Sequence, residues 1–252
     1  MSGHSHWSKI KRSKASVDAK RGREWSKLAR RIIVAAKSGG NPDDNLTLRY
    51  AIDEARAANM PNDTIAKAIK KGTGELGGES YEQVIYEGYG PGGAAFLVDS
   101  LTNNRNRTAP ELRKIFEKAG GQLGATGCVA YLFQKRGRFV ISSEQADEDT
   151  LMEIAIDNGA DDVKPDDDVF EIICDVSAFG AVKDALARQS IETIEAEIGM
   201  VPDTTVAVPA NRARQVVHLA EALDDHDDVQ KVYSNFEIPE DVMAELEAEA
   251  AQ

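Results

Sequence analysis

The character of this chain changes at the glycine-rich stretch GTGELGGES (72–80), where strand patterns first appear, and that change limits the possible folds most sharply. Before it, apolar residues recur at intervals of three and four, the period of a helix with one buried face. After it, alternating or short β-branched blocks bounded by glycine, proline and asparagine, the pattern of strands and turns, are interleaved with further helical stretches. The two periods require different layers. The chain is therefore expected to divide into a helical unit, a linker and a longer mixed part.

In the helical part, a wheel at 100° per residue over 17–37 brings Trp25, Leu28, Ala29, Ile32 and Ala36 to one side. Lys20, Arg23, Lys27, Arg30 and Arg31 gather opposite, and Arg21 falls on the apolar side as the one misfit. In the loop SGGNPDDN, Asn41 suits a cap and Pro42 a first helical position, before a second helix with the stripe Leu48, Ile52, Ala55. Met60-Pro61-Asn62 breaks that helix. A third runs from Asn62 or Asp63 through Ile65 and Ile69, with Gly72 expected as its left-handed stop.

Beyond residue 80, YEQVIYEGYGPGGAAFLVDSL reads as strand, turn, strand. NNRNRT reads as a loop, and Thr108 with Glu111 as a capping box opening a helix through Phe116, ended by Gly120-Gly121. CVAYLF reads as a buried strand. The next stretch has RFVIS, a helix over 148–158, two strands in ADDVKPDDDVFEIICD, a helix over 178–189 and the strand IETIEAEI. That order is βαββαβ, the split plan of a ferredoxin-like sandwich. TVAVP, a helix over 210–224 and VQKVYSNFEI then return to complete the sheet begun at 82–133. The expected fold is α+β: an N-terminal three-helix bundle followed by two ferredoxin-like α/β sandwich domains. Expected boundaries are 1–80 with the linker, 81–134 plus 204–239, an insertion at 135–203, and an acidic tail at 240–252.

The formal net charge of −13 hides an asymmetry. Residues 1–75 hold 16 Lys/Arg against 8 Asp/Glu, whereas the rest holds 14 against 35. Within the first 37 residues, 11 basic side chains face only Asp18 and Glu24, with few acidic partners at helical spacing. Such one-sided charge in an acidic chain suits a polyanion better than a merely solvated face. Lys9, Lys11, Arg12, Lys14, Lys20, Arg23, Lys27, Arg30 and Arg31 are the candidate phosphate contacts. About five such contacts would give a log K against log salt slope near −4.5 on duplex DNA and near −3.5 on single-stranded RNA. Trp7 can stack on bases, while Trp25 sits with the core stripe. Arg105 and Arg107 in NNRNRT form a second candidate contact: two guanidinium forks beside amides at a helix start suit phosphates. The same residues also suit an ordinary turn, and both readings stand.

Other chemistry finds little support. GYGPGG (88–93) matches G-x-G-x-x-G, but a strand follows it where a dinucleotide site needs a helix N-terminus. His4 and His6 lack a nearby carboxylate or thiol to complete a metal site. Asp161-Asp162 and Asp166, Asp167 and Asp168 read as solvated loops, and Cys128 and Cys174 as reduced, partly buried thiols. No nucleophile, base and orienter fall into a recognisable frame. No apolar run reaches the roughly 20 residues of a membrane helix, and a cleaved leader is not expected. The chain is expected to be a non-enzyme with no cofactor, metal, membrane or small-molecule substrate, located in the cytoplasm.

GHSHWSKIKRSKASVDAKRG, NPDDN, NMPNDTIAKAIKKGTG, YEGYGPGGAAFLVDSLTNNRNRT and DDVQKVYSNFEIP closely resemble the YebC/PmpR family. Its mitochondrial relatives include the translational activator of cytochrome oxidase. The likeness spans nearly the whole chain; His6 stands where relatives usually carry Lys, which removes one cation from the cluster. The resemblance implies three domains, a helical one and two of ferredoxin-like type, and no catalysis. It also implies gene-expression control, either by DNA-binding transcriptional regulation or by ribosome association that aids synthesis through proline-rich stretches. The partner is thus DNA or RNA, including the ribosome, and the residues do not separate them.

Overall fold

A computed structural model describes residues 17–77, 80–166, 168–239 and 242, with side chains of the first helix from Gly22 onward. The expected acidic tail at 240–252 and the segment holding His4, His6 and Trp7 lie outside the described residues, except for Val242.

Among the described residues, three helices come first: α1 (Val17–Ala36), α2 (Leu46–Ala57) and α3 (Asn62–Gly72). Their apolar stripes close a core of Leu28, Ile32, Ile33, Leu48, Ile52, Met60 and Ile65. Trp25 packs on its rim and donates Nε1–H to Ala58 O at 3.0 Å, so its role is structural. The start of α2 differs from expectation. Asn45, not Asn41, caps it: Asn45 Oδ1 accepts from Leu48 N, while its Nδ2 donates to Ala35 O and Gly39 O, each at 2.8 Å. Several residues in NPDDN can cap a helix; the one that also satisfies carbonyls at the end of α1 prevails. Gly72 is likewise not a left-handed stop but the last residue of α3, and Thr73 caps it. Its missing side chain matters because a Cβ there would lie 2.4 Å from Ile33 O and 2.6 Å from Ala36 Cβ. Glycine lets α3 press directly onto the backbone of α1.

The first sandwich has strands β1 (Glu82–Tyr89), β2 (Ala95–Thr102) and β3 (Gln122–Leu123), with helix α4 (Arg105–Lys118). The YEGYGPGG segment is the expected hairpin: Pro91–Gly93 forms a 3₁₀ turn with Gly92 at φ 74°, and Tyr89 pairs with Ala95. NNRNRT is not a loop. Asn104 caps α4, accepting from Arg107 N at 3.2 Å, and Thr108 is buried inside the first turn. The T-x-x-E spacing therefore sits one turn too late to be the cap. CVAYLF is not a strand up to Leu132 either: Ala130–Leu132 is a 3₁₀ turn, and strand β4 begins at Phe133. Glu87 explains this. Its buried carboxylate accepts from the backbone N–H of Gly127, Val129 and Ala130, taking donors that a neighbouring strand would need.

The second sandwich contains β4 (Phe133–Ser142), α5 (Glu148–Asp157), β5 (Ala160–Asp166), β6 (Val169–Cys174), α6 (Phe179–Arg188) and β7 (Thr193–Pro202). Its antiparallel order β5-β6-β4-β7 is the split βαββαβ arrangement. The core includes Phe139, Ile141, Leu151, Ile172, Val182 and Leu186. Asp166, expected in a solvated loop, is instead buried at the end of β5. On the same sheet Arg138 is buried between Glu171 and Glu195.

The chain then returns through β8 (Val206–Ala207), α7 (Ala210–Asp224), β9 (Val229–Ser234) and β10 (Phe236–Glu237). β9 joins β2 to give the order β3-β1-β2-β9, while β8 and β10 form a short parallel pair. Helices α4 and α7 cover this sheet over Phe96, Leu112, Phe116, Val216, Leu219 and Phe236. The class is α+β, as the sequence pattern predicts: three helices, then two antiparallel sheets with their helices.

Candidate nucleic-acid interface

The polar side of α1 lies against the acidic turn DDHDD (224–228), which ends α7 and leads into β9. Arg23 Nη1 lies 3.2 Å from Asp225 Oδ1, and Lys27 Nζ lies 3.6 Å from Asp224 Oδ1. Lys27 also donates to the Asp224 carbonyl at 2.5 Å, at the negative end of α7. Arg30 Nη2 lies 3.7 Å from Asp228 Oδ1, and its guanidinium sits 5.8 Å over the Tyr81 ring. Arg31 turns the other way, onto Glu54 of α2 at 2.6 Å. These cations thus meet carboxylates of their own chain. Lys9, Lys11, Arg12 and Lys14 lie outside the described residues, as does the side chain of Lys20.

Asp228 is the centre of this seam. It is 1% exposed, and its Oδ2 accepts from Arg107 Nη2 at 2.5 Å, Thr108 Oγ1 at 2.6 Å and Thr102 Oγ1 at 3.1 Å. Burial alone would raise its pKa; the bonds from Thr108 and Arg107 outweigh burial and hold it below the ordinary carboxylate range. His226 Nδ1 accepts from Asp228 N at 3.1 Å, and its Nε2 lies 3.1 Å from Glu111 of α4. Sequence reading missed Asp228. The only signal was one acid among several in DDHDDVQK.

The two candidate arginines of α4 part company here. Arg107 is committed to Asp228, with Glu111 3.8 Å away. Arg105 pairs with Glu82 at 2.7 Å at the exposed end of β1, where solvent and salt reach both groups.

Three further cations were overlooked. Lys67, Lys70 and Lys71 occupy exposed positions on α3, opposite Ile65 and Ala68, and none has an ion pair among the described residues. Their i, i+3, i+4 spacing in NDTIAKAIKKG was the available signal. Among the described residues no three His, Cys, Asp or Glu side chains converge to hold a metal ion, and no helix is long and apolar enough to cross a membrane.

A cation-rich helical unit joined by a charged seam to the first of two antiparallel sandwiches defines a three-part α+β protein. The chain belongs to the TACO1/YebC family: the description "TACO1/YebC protein N-terminal domain" matches residues 5–75, and "TACO1/YebC second and third domain" matches residues 81–236. This family is non-enzymatic, and the chain is not an enzyme. A relative from Desulfatibacillum aliphaticivorans, named "Probable transcriptional regulatory protein", is 52% identical over 97% of this chain and 100% of its own. One from Pelotomaculum thermopropionicum, with the same name, is 51% identical over 94% of this chain and 99% of its own. Among solved structures, the conserved hypothetical protein Aq1575 from Aquifex aeolicus is 47% identical, with a TM-score of 0.79 over 89% of this chain and 93% of that one.

Proposed function

We propose that the protein is a cytoplasmic, nucleic-acid-binding regulator of gene expression that acts on DNA through its N-terminal helical unit. The observation that carries this reading is the concentration of cations in residues 1–75 of an otherwise strongly acidic chain. The names of its relatives, probable transcriptional regulatory proteins, favour DNA as the polymer. Phosphate contacts come from Lys9, Lys11, Arg12, Lys14 and Lys20, from Arg23, Lys27, Arg30 and Arg31 once freed of their carboxylates, and from Lys67, Lys70 and Lys71. Arg105 can exchange Glu82 for a phosphate, whereas Arg107 serves the Asp228 seam. The same reading divides the chain into functional units at 1–80, 81–134 with 204–239, 135–203 and the tail 240–252.

Binding isotherms on duplex DNA and on ribosomes, each over a salt series, test this. Promoter DNA retained selectively, with log K falling steeply with log salt, supports the regulator. Ribosome co-sedimentation that collapses at high salt, without selective DNA binding, moves the partner to ribosomal RNA. Neutral substitutions of the N-terminal cations that leave both partners bound would refute the reading.

A further inference from the structure

We propose that the acidic turn at 224–228 is an internal stand-in for nucleic-acid phosphate: it occupies Arg23, Lys27 and Arg30, and a polynucleotide must displace it to gain them. This rests on the nucleic-acid reading above and adds a regulatory contact to it.

The match is chemical and geometric. Positions 23, 27 and 30 follow one face of α1 at i, i+4 and i+7, and each meets a carboxylate of the turn at 3.2 to 3.7 Å. Guanidinium and ammonium groups donate to carboxylate and phosphate oxygens alike, so turn and polymer contend for the same donors. The turn also brings the negative end of α7, through the Asp224 carbonyl.

The contact is built to open. The Arg23–Asp225 pair is solvent-exposed, and such pairs hold weakly. Arg30 Nη1 is buried with no hydrogen-bond acceptor, and Arg30 stands too far from Asp228 for a normal hydrogen bond. Asp228, the deeply buried member, keeps Arg107, Thr102 and Thr108 when α1 leaves. Release therefore strands no buried carboxylate. A phosphate backbone can then offer α1 better-placed oxygens than the turn does.

The test uses the full-length protein. A carbodiimide, which condenses a carboxylate with an amine and takes up the water lost, should join Lys27 to Asp224, read by peptide mass spectrometry. A saturating 20-base-pair duplex or 20-nucleotide RNA should cut that yield several-fold. The double variant Asp224→Asn/Asp225→Asn should bind about three- to tenfold tighter at 0.1 M salt. It removes one exposed and one partly buried ion pair, while Lys27 keeps its bond to the Asp224 carbonyl. Asp161→Asn/Asp162→Asn removes the same charge from β5 and corrects for the general field; the gain must exceed that control. A crosslink that persists at saturation, or a gain no larger than the control's, overturns the proposal while leaving nucleic-acid binding intact. If neither polymer binds wild type or variant, the nucleic-acid reading fails and this inference fails with it.

Discussion

Arg107 at the start of α4 sets its guanidinium on the buried carboxylate of Asp228, Nη2 to Oδ2 at 2.5 Å, and so ties the helix to the entry of β9. The two α4 arginines should therefore respond differently to truncation. Arg107→Ala leaves Asp228 buried with less compensation and should cost about 1–2 kcal/mol in urea unfolding. Arg105→Ala removes a solvent-exposed pair and should stay within about 0.5 kcal/mol of wild type. Equal costs would contradict the structural role given to Arg107.

Acid should weaken the first sandwich through two carboxylates. Burial pushes Glu87 upward, but the three backbone N–H donors of Gly127, Val129 and Ala130 outweigh it and lower its pKa; Asp228 is lowered as described. A carboxylate with a depressed folded value stabilises fully above its unfolded value, about 4, and loses that contribution as pH falls through the folded value. Glu87→Gln and Asp228→Asn should thus each be destabilised at pH 7. Their deficit relative to wild type should shrink below about pH 4. Denaturant melts at pH 7, 5 and 3.5 give the comparison, and a deficit constant across that range would exclude the linkage.

How much of this was legible beforehand depends on the range of the interactions. The apolar stripe of α1, the hairpin at 88–93, the helix at 210–224 and the βαββαβ order all follow from local period and turn chemistry. The misplaced boundaries share a different cause. Asn45 wins the cap through carbonyls ten and six residues earlier, and Glu87 takes backbone donors about forty residues later. Thr108 is drawn into the helix while its hydroxyl serves Asp228, 120 residues away. The site shows the same limit: the wheel placed Arg23, Lys27 and Arg30 on the polar side of α1, but nothing local placed the acidic turn against them. Charge separated along the chain can be read as an outward-facing surface when the fold brings the two signs together.

Two helical glycines should answer oppositely to alanine. At Gly72 a Cβ collides with Ile33 O and Ala36 Cβ, so Gly72→Ala must push α3 away from α1 and should cost about 2 kcal/mol. At Gly22 nothing lies within 4 Å, and the residue is exposed inside α1. Gly22→Ala should instead stabilise the helix, by about 0.5–1 kcal/mol. Thermal melts followed by circular dichroism would show the two shifts, and a destabilised Gly22→Ala would mean that α1 is not continuous through this point.

The three exposed lysines of α3 give the sharpest check on where phosphate is held. If Lys67, Lys70 and Lys71 each neutralise one phosphate, changing all three to Gln should flatten the log K against log salt slope by about 2.7 on duplex DNA and about 2.1 on single-stranded RNA. A change in stability could mimic weaker binding, because Lys70 and Lys71 lie in the last turn of α3 and favour its negative end. That contribution is a few tenths of a kcal/mol per lysine, and Gln keeps helix propensity close to that of Lys. Loss of fold would reduce affinity at all salt concentrations, whereas loss of phosphate contacts changes the slope itself. Lys183→Gln, an exposed change on α6, should leave the slope unaltered. A triple variant with the wild-type slope would place the phosphate grip entirely outside α3.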